Sequence, residues 1–189
     1  MSDAVSALNG ASFDGTVMVR EAGLQGMITL RGDLSSEKMR KAVKQITGAE
    51  MPGRRETRGG PDGGAVWMSP DELLLLVGHD RVAAALEELE KALAGTHFLA
   101  VDVSDARAVF EIKGARVREV IAKLCPVDMD PSDFRPGQIR RTRMAQVAAA
   151  IWMEEEERIR VICFRSMAAY VFGLLEDAAG PGGEVGFFA

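Results

Sequence analysis

Residues 65–95 read AVWMSPDELLLLVGHDRVAAALEELEKALAG, and the rest of the chain repeats their plan. Two apolar runs of strand length come first, residues 65–69 and 73–78. A helix then starts near Asp80, with Val82, Leu86, Leu89 and Leu93 recurring at helical spacing and Gly95 as the stop. The unit is strand, strand, helix.

Working outward, the unit recurs three times. Residues 16–21 and 27–31 read as strands punctuated by Gly23 and Gly26. Asp33 and Ser35 offer N-cap oxygens to a helix carrying Met39, Val43 and Ile46, which Gly48 ends. Residues 98–103 and 108–113 precede a helix with Val117, Val120, Ile121 and Leu124 on one face, terminated by Pro126. Residues 143–153 and 158–165 read as a hairpin with Glu154, Glu155, Glu156 and Glu157 at its tip. The last helix, residues 167–178, is apolar on nearly every side and must be covered on every side, by the fold or by a partner. Four ββα units contain the split βαβ order twice. The expected fold is therefore α+β, with two tandem ferredoxin-like halves spanning residues 1–95 and 96–179.

Three segments depart from this plan. Residues 52–64, with Arg54, Arg55, Arg58 and clustered glycines, read as a mobile basic loop. Residues 126–142 read as a structured connection, where Pro131 after Asp130 takes the first position of a helical turn. Residues 180–189 form a Gly-rich tail ending in Phe187 and Phe188. Burying both rings contributes about 3–6 kcal/mol. Ordering the backbone costs on the order of 7–14 kcal/mol, so disorder is expected.

At 189 residues, 47% hydrophobic and 27% charged, the chain is long enough for a sizeable core and too apolar to be disordered. No apolar run approaches the roughly 18 residues of a membrane helix. Residues 1–9 lack the basic start and apolar stretch of a secretory signal, so the cytoplasm is the expected compartment. The net charge of −5 is opposite in sign to that of most nucleic-acid binders. Two cysteines and two histidines leave little for a metal site or a disulfide framework.

Little in the chain points to catalysis. The glycines at 59, 60, 63 and 64 precede a strand instead of a helix and lack the Lys-Ser/Thr of a phosphate loop. Cys125 and Cys163 fall at a helix end and inside an apolar strand, where cysteine acts as a small hydrophobe. His79 and His97 stand in no recognisable nucleophile–base pattern. Asp102 and Asp105 flank Ser104 at a strand end. Carboxylates there could accept a bidentate hydrogen bond from an aminopyrimidine ring or a partner arginine, or bond their own turn. Arg135, Arg140, Arg141 and Arg143 cluster around Pro136-Gly137, as an acidic partner surface would require or as a solvated connection would allow.

The run Leu124-Cys125-Pro126-Val127-Asp128-Met129-Asp130-Pro131-Ser132-Asp133-Phe134-Arg135-Pro136-Gly137 resembles the gamma subunit family of heterotetrameric sarcosine oxidase. Trp67-Met68-Ser69-Pro70-Asp71-Glu72, Val101-Asp102-Val103-Ser104-Asp105-Ala106-Arg107 and Phe164-Arg165-Ser166-Met167-Ala168-Ala169-Tyr170 are similar to it too. The likeness runs from Trp67 to Asp177, and residues 1–64 match poorly. It implies the fold of the folate-binding aminomethyltransferase of the glycine cleavage system. It also implies a non-catalytic structural subunit, holding no cofactor itself, of an enzyme that oxidatively demethylates sarcosine. The products would be glycine, hydrogen peroxide and a one-carbon unit on tetrahydrofolate. FAD and FMN would lie on the beta subunit, NAD and folate on alpha and zinc on delta. On that reading Arg135, Arg140, Arg141 and Arg143 face a partner subunit. The alternative is a free-standing one-carbon transferase with Asp102 and Asp105 against the pterin, and a third reading is an interaction module unrelated to amine oxidation.

Overall fold

The computed structural model describes residues 4–188. Residues 1–3, part of the stretch read for a secretory signal, and residue 189, the last of the tail, lie outside the described residues. Chain order is β1 (Ser12–Asp14), β2 (Met18–Glu21), β3 (Gly26–Gly32), α1 (Glu37–Thr47), β4 (Thr57–Gly60), β5 (Gly63–Ser69), β6 (Glu72–Val77), α2 (Val82–Leu93), β7 (Phe98–Asp102), β8 (Arg107–Lys113), α3 (Val117–Leu124), β9 (Ile139–Met144), β10 (Val147–Glu155), β11 (Arg158–Phe164) and α4 (Ala168–Ala179). Among the described residues no helix is long and apolar enough to cross a membrane.

The chain divides into two compact units, and the first lies within Leu24–Ser104. Its antiparallel sheet runs β4-β5-β6-β3-β7. Along the chain the elements read β3, α1, β5, β6, α2, β7, which is the split βαβ topology with β4 added at one edge. Ser36 starts α1 by accepting a hydrogen bond from Met39 N, and Gly48 closes it at φ 70°. Asp33 and Ser35, expected as caps, act one turn earlier, where Asp33 Oδ1 accepts from Ser35 N and Oγ. Met39, Val43 and Ile46 from α1 and Val82, Leu89 and Leu93 from α2 close over Ile28, Leu30, Leu73, Leu75 and Val77. Leu74, Leu76 and Met27, on the opposite sheet face, are buried as well. Burial on both faces explains why β6 reads as a continuous apolar run instead of an alternating one.

The second unit combines residues 4–23 with 105–188. Its sheet runs β1-β2-β8-β11-β10-β9. Here β8, α3, β10, β11 and α4 supply three strands and two helices, and β2 from the start of the chain takes the fourth strand position beside β8. The core joins Val19, Phe110, Ile112, Ile121, Ile151, Val161, Val171 and Leu175.

Four expectations change here. The halves do not part at residue 95, because β2 pairs with β8 and β7 pairs with β3, so each sheet takes its fourth strand across the expected boundary. Most of the expected loop over residues 52–64 is a hairpin, because β4 and β5 pair from Thr57 onward. Its glycines serve close backbone approach, since a Cβ at Gly59 (φ +78°) would stand 2.1 Å from Gly63 O and one at Gly63 2.4 Å from Thr47 O. The strand expected over 143–153 is two strands, β9 and β10, reversed through a turn in which Ala145 adopts φ 49°. The tail expected to be disordered is seated on α3: Val185 N and Gly186 N donate to the Glu119 carboxylate, and Phe188 packs on the core while Phe187 stays exposed. Two donors on a buried carboxylate add to the apolar gain that alone fell short of the ordering cost.

Candidate functional site

Asp102 ends β7, and its Oδ1 accepts from Ser104 N at 2.9 Å and Ser104 Oγ at 2.6 Å. Ser104 Oγ in turn accepts from Met27 N at 3.0 Å. Asp102 thus shapes the turn leaving β7. Asp105 belongs to the other compact unit, is exposed, and faces Arg165 Nη1 at 3.8 Å. These interactions engage both carboxylates within the chain.

The four arginines around Pro136-Gly137 separate into two kinds. Arg140 turns inward: its Nη2 donates to Asp133 O at 2.8 Å and to Gln138 Oε1 at 3.3 Å, and its guanidinium lies 5.1 Å from the Phe134 ring centre. Arg135 Nε donates to Ser132 O at 3.0 Å. Arg141 and Arg143 are exposed on β9, the sheet's edge strand, and their two-residue spacing puts them on one face opposite the helices.

Two buried charge groups carry no periodic signal. Arg118 on α3 donates to Met129 O at 2.9 Å, Phe134 O at 2.8 Å and Glu156 Oε2 at 2.6 Å, pinning the connection between α3 and β9. On the sheet face away from the helices, Glu111 meets Arg20 at 3.1 Å and Arg160 at 3.5 Å, and Arg160 Nε lies 2.7 Å from Glu154 Oε1. Removing one member would strand a buried charge at a cost of about 3–5 kcal/mol. The legible signal was one charge inside each apolar run, Phe110-Glu111-Ile112 and Ile159-Arg160-Val161. The acidic hairpin tip is therefore only partly solvated.

Burial pushes the Cys125 thiol up to about 12 and the Cys163 thiol up to about 11, which keeps both protonated and unreactive at neutral pH. His79 lies in the 3₁₀ turn His79–Arg81, and His97 is exposed just before β7. Among the described residues, no three His, Cys, Asp or Glu side chains are grouped to hold a metal ion.

A cleft lies within Leu24–Ser104. It encloses about 450 Å³ and is walled by Leu34, Met51, Pro52, Trp67 and Pro70, with Arg40 and Glu50 also lining it. The α1 helix supplies Arg40, the chain after α1 supplies residues 50–53, and β5 supplies Trp67. The cleft is open to solvent, and Trp67 and Met51 are half-buried.

The profile of the Sarcosine oxidase, gamma subunit family matches residues 31–181. This chain belongs to that family. The match begins well before Trp67, so the likeness extends into the first 64 residues, where the sequence reading found only a poor match. Sarcosine oxidase subunit gamma of Corynebacterium sp. strain U-96 is 28% identical over 164 residues, covering 86% of this chain and 78% of that one. The subunit of the same name from Arthrobacter sp. is 28% identical over 153 residues, covering 80% and 74%. The fold is similar to a chain of the heterotetrameric sarcosine oxidase from Corynebacterium sp. U-96 in complex with pyrrole 2-carboxylate, with TM-score 0.80 and 26% identity over 89% of this chain and 86% of that one. It also shares the fold of the glycine cleavage system aminomethyltransferase T from Bartonella henselae, with TM-score 0.58 and 12% identity over 82% of this chain and 44% of that one. The α+β class with two antiparallel sheets and the aminomethyltransferase-like fold thus agree with the sequence reading.

Proposed function

We propose that the chain is a non-catalytic structural subunit of a heterotetrameric, flavin-dependent sarcosine oxidase. The family match over residues 31–181, with the fold likeness to the Corynebacterium enzyme, is the observation that carries this reading. The assembly oxidises the N-methyl group of sarcosine, releases glycine and hydrogen peroxide, and passes a one-carbon unit to tetrahydrofolate. Alpha, beta and delta subunits are the partners, in the cytoplasm and without membrane or nucleic acid. FAD and FMN belong to beta, NAD and folate to alpha, and zinc to delta.

The chemistry of this chain supports a structural role. Its thiols are held protonated. Asp102 does not suit a pterin, because its Oδ1 is already occupied by Ser104 and a bidentate contact needs both oxygens free. Arg141 and Arg143 present an exposed basic edge to an acidic subunit surface. The decisive experiment is purification of the tagged chain from its native host. A yellow flavoprotein should co-purify, while the recombinant chain alone should be colourless and release no peroxide. Recovery without a flavoprotein, or flavin on the lone chain, would refute the assignment. Micromolar tetrahydrofolate binding by the chain alone would instead favour a free-standing one-carbon transferase.

A further inference from the structure

We propose that the cleft beside α1 is a docking site for a partner-subunit segment that presents an apolar side chain flanked by carboxylates. The inference rests on the assembly role above and names the surface and the chemistry of its partner.

The first argument is shape. The cleft is large enough for one aromatic or branched side chain, but it is open. Small-molecule sites enclose most of their ligand. An open apolar hollow suits a side chain that arrives on a second polypeptide and is closed off by that polypeptide. Trp67 and Met51 supply broad, adaptable contact area of the kind that dominates interface energetics.

The second argument is charge. Two carboxylates beside the cleft, Glu50 and Glu56, are already paired. Lys44 pairs with Glu50, and Arg58 pairs with Glu56 at 2.7 Å. Arg40 lines the cleft in the field of Asp33 and Glu37, yet it has no side-chain hydrogen bond and no ion pair among the described residues. Arg54 and Arg55 directly follow Gly53 on the rim, are exposed, and have no ion pair either among the described residues. One arginine without a direct ion pair thus lines the hollow, and two more follow its wall residue Gly53 in the chain, on a protein whose net charge is −5. Carboxylates on the incoming segment would satisfy them, and arginine geometry favours such pairing.

The test uses the complex purified through a tag on the full chain from its native host. With Met51→p-benzoylphenylalanine, irradiation should cross-link a partner segment containing Asp or Glu next to an apolar residue. Arg40→Glu should weaken assembly at least about tenfold and flatten its salt dependence, while Arg40→Lys should lose only a small part of that. An intact complex with no cross-link, a cross-link to a basic or uncharged segment, or Arg40→Glu assembling as the parent does would overturn the inference alone. A complex lacking any flavoprotein would overturn the assembly role, and the cross-link in that complex would still decide the cleft. Recovery of the chain with no partner would overturn both.

Discussion

Arg140 and Arg143 lie three residues apart on β9 and play different parts. Arg140 ties Asp133 O and Gln138 Oε1 to the Phe134 ring, whereas Arg143 projects from the edge strand into solvent. Arg140→Ala is therefore expected to lower stability by about 1–2 kcal/mol in urea unfolding. Arg143→Ala should leave the unfolding midpoint alone and weaken assembly; equal midpoints for the two variants would show that Arg140 contributes nothing to the fold. Glu119 gives a pH dependence. The hydrogen bond from Val185 N, then that from Gly186 N, holds its carboxyl below the ordinary 4.5 against the opposing effect of burial. Because the folded value is the lower one, the stabilisation is fully present above pH 4.5 and is lost as pH falls through the folded value. The amide resonances of Val185 and Gly186 should titrate with a midpoint below 4.5 and stop titrating in Glu119→Gln. A midpoint at or above the ordinary value would mean the tail is not held this way.

Two turns decide elements that composition misrepresents. Met144-Ala145-Gln146-Val147 contains no glycine, asparagine or proline, so nothing in it announces the reversal between β9 and β10. Ala145 is held at φ 49° by the pairing on either side and by donation of its N–H to Leu124 O at 2.8 Å. Ala145→Gly relieves that strain but adds freedom to the unfolded chain. The net expectation is a gain of up to ~1 kcal/mol in thermal or urea unfolding. The β4–β5 hairpin errs in the opposite direction, since its glycines look flexible and are in fact crowded. Gly59→Ala should cost about 2 kcal/mol or more, because the new methyl meets Gly63 O and the φ of +78° disfavours it. If calorimetry found Gly59→Ala neutral, the hairpin would be as loose as its composition suggests. The last helix, expected to be covered on every side, buries Ala168, Val171, Leu175, Ala178 and Ala179 and leaves Tyr170 exposed.

Over the whole molecule the chain crosses between two sheets twice. Residues 105–188 lack their fourth strand until β2 fills it, bringing Val19 into the core and Thr16 N to Ala179 O at 2.8 Å. A permutant joining residues 105–188 through a short linker to residues 4–23 should unfold cooperatively at a higher urea midpoint than residues 105–188 alone. Equal midpoints would mean that β2 contributes nothing to that unit. Helices were legible because a buried stripe must repeat every three or four residues, and the positions of Met39, Val43, Ile46, Val117, Val120 and Ile121 follow from spacing alone. The α+β class was legible in the same way, from runs too short for helices alternating with longer periodic stretches. Strand partners were not, because β2 offers β3 and β8 the same backbone donors and acceptors, and pairing leaves no mark on local order. Nor were the Arg118 anchor, the Glu119 latch or the cleft at Trp67, which exist only once residues far apart in the chain share one place. The sequence by itself determined where the helices lie and which of their apolar residues are buried, since that is local periodicity; tertiary structure alone decided which strands meet and which charges are buried together, since those depend on contacts between distant residues.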